Sequence, residues 1–184
     1  MNFVQPIRDR EMIELIKNFL MKQSYRNYMM FVFGINTGLR IQDILKHRVM
    51  DVMGVQIVMH EMKTGKRKII EINPTLRREL DKYITYMKMK PTDYLFPSRQ
   101  GGKGNKPIGR DMAYKIMRAA AREHNLVDIG THTMRKTFGY HMYDKTKDIT
   151  LVRKLLNHSD DSSTMSYIGL DQDAMNKAMK QFGL

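Results

Sequence analysis

Apolar residues recur at helical spacing along most of this chain. After a lead-in of seven residues, Met12, Leu15, Ile16, Phe19 and Leu20 mark one face of a helix that opens at Arg8-Asp9-Arg10. Ser24 suits the N-cap of a second helix running through Phe33, with Gly38 as its stop. That helix is apolar over much of its length, which predicts a central, buried place. A short third helix is expected over residues 40–46. The period then drops to two, giving three short strands near residues 48–52, 55–61 and 66–72, with turns at Gly54 and Thr64-Gly65. Helices return over 74–90, where Pro74 fits the first turn, and over 110–123. Between them, residues 98–109 form a glycine-containing loop with basic Arg99, Lys103 and Lys106. A helix over 148–156 ends at Asn157, a residue that tolerates the left-handed cap. Asp160 or Asp161 caps the next short helix, and Ala174, Met175, Ala178, Met179 and Phe182 stripe a final one.

Charge narrows the function. The 184 residues hold 32 Lys and Arg against 19 Asp and Glu, a net charge of +13, which favours a polyanionic partner. The length fits one domain, with 42% hydrophobic residues to fill its core. Cysteine is absent, so disulfides and Cys-based metal sites are excluded, in keeping with a reducing cytoplasm. The longest apolar run, from Met29 to Ile35, is far short of the about 20 residues a membrane span needs. No phosphate-binding P-loop can be drawn through the glycines of 98–109.

The candidate chemistry lies mainly between Thr131 and Leu170. His132 and Arg135 are three apart on a helix and share a face. Gly139 falls between them on the helical wheel, leaving that face open to a ligand. Met134, Phe138 and Met142 form the adjoining core stripe. His158 follows in Leu155-Leu156-Asn157-His158-Ser159, and Tyr167 comes nine residues later. Upstream stand Thr37-Gly38-Leu39-Arg40 and Met62-Lys63-Thr64-Gly65-Lys66. These five boxes, in this order, resemble the tyrosine recombinases, the phage integrases and their bacterial relatives. The resemblance runs from about Tyr25 to the end.

The resemblance implies the catalytic-domain fold of that family: α+β, mainly helical, a helical bundle with a small three-stranded antiparallel sheet. Residues 1–184 then form a single catalytic domain, without the N-terminal DNA-grasping (core-binding) domain that such enzymes usually carry. It implies six catalytic residues. Arg40 and Arg135 clamp a phosphodiester, Tyr167 attacks phosphorus, His132 is the base or proton relay, His158 donates to the phosphate, and Lys63 protonates the leaving oxygen, with Lys66 as its fallback. Asp43 stands where the family usually has Glu and is expected to hold Arg40. The implied partner is double-stranded DNA, bound as a homo-tetramer by a protein that is monomeric or weakly associated without it. No cofactor, metal or membrane is implied. The tail after Tyr167 docks either on a neighbouring subunit or on its own domain. Two alternatives stay open: a non-enzymatic DNA-binding regulator on the same fold, and a type IB topoisomerase-like enzyme. A zinc site from His132, His141 and His158 is a weaker one, since no H-E-x-x-H pattern supports it.

Overall fold

The computed structural model describes residues 4–99 and 106–182; Lys103 and half of the basic loop lie outside them. Nine α-helices and one two-stranded sheet are present among the described residues. Helix α1 (Arg10–Gln23) is capped by the Asp9 carboxylate and buries Ile13, Ile16 and Leu20. Leu15, expected inward, is 48% exposed, because the buried stripe runs through Ile13 instead. Helix α2 (Tyr25–Thr37) buries residues on nearly every side and is the central column, packed on α1, α4 and α6. Gly34 lets α6 cross it closely: a Cβ there would sit 2.6 Å from Met134 Sδ. Gly38 ends α2 at φ +63°, a conformation that suits glycine, and α3 (Ile41–Leu45) follows at once.

The sheet is smaller than expected. Strands β1 (Gln56–His60) and β2 (Arg67–Glu71) pair antiparallel, with Val58 opposite Ile69. The expected first strand is instead a 3₁₀ turn over Val49–Val52. Asp51 folds back to accept the Arg48 N–H at 2.7 Å, and Val49 and Val52, three apart, are both buried. That spacing is the 3₁₀ period, and the two valines mimic strand propensity without strand pairing.

Helix α4 (Pro74–Met87), capped by Asn73, and α5 (Arg110–Glu123) form where helices are expected. The second half carries α6 (Thr131–Thr146), α7 (Ile149–Leu156), α8 (Asp161–Ile168) and α9 (Leu170–Gln181). Asn157 ends α7 in the left-handed conformation, and Asp160 caps α8, both as expected. A small second core of Val152, Leu156 and Ile168 fastens α7 and α8 to α6. The lead-in is tied to the same region: Ile7 N–H donates to Thr137 Oγ1 and His141 Nε2 to Ile7 O. Helix α9 buries none of its residues. Among the described residues no helix is long and apolar enough to cross a membrane.

Candidate active site

Five of the six expected residues converge where the α2–α3 turn, α6, the end of α7 and α8 meet. Arg135 is the anchor. It projects from α6 and is 1% exposed, among the largest fully buried side chains of the protein. Its Nη1 donates to Gly38 O at 2.7 Å and its Nη2 to Leu156 O. One guanidinium thus locks the α2–α3 turn and the end of α7 onto α6. Its other role is electrostatic, as a permanent cation inside the protein.

Tyr167 comes from α8 with its hydroxyl turned inward. The oxygen is buried and makes no hydrogen bond of good geometry among the described residues. Burial pushes the phenol pKa up, while the charges of Arg135 and Arg40 draw it down; burial wins in the DNA-free protein. The His158 ring meets the Tyr167 ring edge-on, centroids 4.7 Å apart, and Lys136 Nζ lies 4.8 Å from the same ring's centre.

His158 follows the Asn157 cap and is half-buried. Thr164 gives its own proton to Asp160 O at 2.8 Å, so its hydroxyl accepts from His158 Nδ1 at 3.2 Å. Burial, then the Arg135 and Arg40 charges, push the imidazole pKa down to about 4. The ring is therefore neutral near pH 7, with the proton on Nδ1 and a lone pair on Nε2. His132 lies at the start of α6, more open to solvent. Its packing and the cations Arg135, Arg40, Lys136 and Arg110 lower its pKa too.

Arg40 leads α3, and Lys63 rides the β1–β2 turn. Contrary to the expectation from sequence, Arg40 does not pair with Asp43. Asp43 instead accepts the Met62 N–H at 2.9 Å and pairs with Lys46 at 3.4 Å. The partner of Arg40 is Glu61, 3.1 Å away, in a contact that is ionic rather than aligned as a hydrogen bond. Lys63 is exposed and forms no ion pair among the described residues, so the structure does not bring it into the pocket. Lys66 is exposed as well. On this hairpin the lysine turned inward is Lys68, whose Nζ donates to Leu155 O at 2.6 Å and faces Glu61 at 3.7 Å. Burial and the nearby arginines push its pKa down to about 8.

Glu61 and Lys68 escape a motif reading. Strand alternation reveals them: Glu61 continues the inward face of Ile57 and Met59, and Lys68 that of Ile70 and Ile72. Charges on a core face need partners. Gly139 is a correction of another kind. A Cβ there would lie 2.7 Å from Ile168 and 3.1 Å from Leu156, so this face is filled by α7 and α8, not open to a ligand. His141 turns away to Ile7, and no cluster of three metal-ligating side chains occurs among the described residues.

Residues 6–173 match the model of the phage integrase family. The chain is 46% identical over 184 residues to "Probable integrase/recombinase YoeC" of Bacillus subtilis (strain 168), covering all of this chain and 99% of that protein. It is 31% identical over 176 residues to a "Tyrosine recombinase" of Pseudothermotoga lettingae, covering 92% of this chain and 59% of that one. In fold it resembles XerH site-specific recombinase in a post-cleavage complex with a palindromic difH substrate, with TM-score 0.72 and 19% identity over 96% of this chain and 53% of that one. It also resembles a lambda integrase tetramer bound to a Holliday junction, with TM-score 0.68 and 14% identity over 89% of this chain and 48% of that one. The chain thus spans nearly the whole of the first relative and about half of the others.

Proposed function

The chain belongs to the phage integrase family of tyrosine-type site-specific recombinases, and on that premise we propose that it cuts and rejoins DNA through a phosphotyrosine at Tyr167. The observation that carries this reading is the buried Tyr167 hydroxyl, turned inward beside the Arg135 guanidinium and within reach of the Arg40 charge. A phosphodiester entering that pocket would meet the Arg135 and Arg40 charges directly. Its transition state gathers charge on the non-bridging oxygens, where fixed guanidinium groups are worth most.

In the step proposed, Tyr167 Oη bonds to phosphorus and the P–O5′ bond breaks, leaving a 3′-phosphotyrosine. The phenolic proton passes to His132, the base nearest solvent. The phosphate's charge raises the His158 pKa, so its ring takes a proton and donates through Nε2. Lys63, carried in on its turn, protonates the leaving 5′-oxygen; Lys68, already inside, is the neighbouring candidate. Rejoining reverses each transfer with a different 5′-hydroxyl. The cations are built into the chain, so no metal or cofactor is assigned to the step.

Residues 1–184 act in this reading as one catalytic domain in the cytoplasm, on double-stranded DNA and as a homo-tetramer, monomeric or weakly associated without it. The exposed α9 and the tetramer formed by lambda integrase support this assembly. The test is to incubate the protein in EDTA and low salt with a random-sequence duplex pool, denature in SDS and recover covalent adducts. SDS-resistant adducts that enrich one sequence over rounds are expected. Binding without any adduct would overturn the enzyme in favour of the regulator. Adducts that relax supercoiled plasmid but never join two labelled duplexes would indicate a topoisomerase-like enzyme.

A further inference from the structure

Glu61 follows the last residue of β1, on the strand's core face, and its side chain is fully buried. A lone carboxylate there would be expensive. Instead, one of its oxygens is crowded with donors. Oε2 accepts Thr64 Oγ1 at 2.8 Å and Asn157 Nδ2 at 3.0 Å, and meets Arg40 Nη1 at 3.1 Å. Oε1 makes no hydrogen bond and faces Lys68 Nζ at 3.7 Å. The Glu61 backbone also closes the Lys63 turn: its N–H donates to Lys66 O at 3.0 Å, and Gly65 N–H donates to its carbonyl at 2.8 Å.

Three segments of the proposed phosphate site therefore meet on one carboxylate: the Arg40 turn, the Lys63 turn and the Asn157–His158 corner. Resting on the recombinase reading, we propose that Glu61 is a positioning residue for strand cleavage, its charge fixing the Arg40 guanidinium and its bonds holding the Lys63 turn against the His158 corner before DNA arrives. The physical reason is crowding of like charge. Arg40, Arg135 and Lys68 repel one another in a small volume. A buried anion between them lets all three stay without the phosphate, so little reorganisation remains for the chemical step. Burial pushes the Glu61 pKa up, but the bonds from Asn157 and Thr64 and the charges of Lys68 and Arg40 outweigh it and hold the group ionised, with a pKa of about 2.

The signature is a split between binding and rate. Glu61→Gln keeps the shape and removes one negative charge, so the pocket attracts DNA as well as before or better, with its cations misaligned. The test uses the full chain and, as probe, the duplex enriched by covalent capture. Under single-turnover conditions at saturating DNA, Glu61→Gln is expected to form adduct about tenfold or more slowly, with a half-saturating DNA concentration unchanged or lower. Glu61→Asp, which keeps the charge, recovers part of the rate. Thr64→Val, at an exposed position, removes one bond to the carboxylate and slows cleavage about threefold at a wild-type melting temperature. A folded Glu61→Gln protein cleaving at the wild-type rate overturns the proposal while leaving the recombinase reading intact. A wild-type rate in Thr64→Val overturns it should Glu61→Gln fail to fold. No adduct from the wild type overturns the underlying reading and this proposal with it.

Discussion

Arg135 and Arg40 illustrate how two arginines of one site carry different loads. Arg135 is buried and holds two backbone carbonyls, Gly38 O and Leu156 O. Arg135→Ala leaves both unpaired, and is expected to cost about 3 kcal/mol of folding stability in urea denaturation as well as cleavage. Arg40→Ala is expected to slow cleavage about a hundredfold or more in the adduct assay while costing less stability than Arg135→Ala, since Glu61 keeps its bonds from Thr64 and Asn157. Motif spacing singled out Arg40, His132, Arg135, His158 and Tyr167, which the fold brings together, and Lys63, which it leaves outside the pocket. Their partners were not legible from spacing. Asp43 looked like the mate of Arg40 because it lies three residues away on the same helix. The true mate, Glu61, arrives from a strand, by tertiary packing that local spacing does not encode.

The ionisable groups also set a pH dependence. His158 is neutral in the fold, with its pKa lowered from 6.5 to about 4. Below about pH 6.5 the unfolded chain binds a proton that the folded one refuses, so stability falls as pH drops towards 4. Glu61, lowered from 4.5 to about 2, stabilises the fold above its unfolded pKa, and that contribution is lost as pH falls from 4.5 towards 2. The melting temperature is expected to decline in both windows. In His158→Gln the decline between pH 6.5 and 4 should shrink; an unchanged profile would contradict the neutral imidazole.

At the level of elements, helices were read well and the sheet less so. Helical stripes and caps such as Asp9, Asn73, Asp148 and Asp160 are local signals. The 3₁₀ turn at Val49–Val52 carries strand-like residues, and only pairing separates the two. Gly139 shows the same limit: an open helical face in sequence is a packed one in space. Gly139→Val should therefore push α8 off α6, costing about 1–3 kcal/mol in denaturation and slowing cleavage through displaced Tyr167. Helix α9 predicts the reverse. It buries nothing, and Asp173 at its start pairs with Arg8 at 2.9 Å. Removing residues 174–184 is expected to change stability by less than about 0.5 kcal/mol. A large loss would show that the tail packs on its own domain.

For the molecule as a whole, charge is the dominant long-range feature. With +13 net charge, DNA binding should fall steeply with salt, by about a thousandfold or more between 50 and 200 mM if six or more phosphates are engaged. A shallow slope in a filter-binding titration would argue against a broad phosphate footprint. Composition pointed to a polyanionic partner before any motif did. It did not foretell how the positive charge is organised, with the buried acid Glu61 set between Arg40 and Lys68.

The central claim is that Tyr167 becomes covalently joined to DNA. Its most direct test is to digest the DNA from SDS-treated adducts, cut the protein with trypsin and weigh the peptides. The account predicts a nucleotide mass on the peptide carrying Tyr167, absent in Tyr167→Phe, which binds DNA as tightly as the wild type. A nucleotide on another residue, or adducts persisting in Tyr167→Phe, would contradict it.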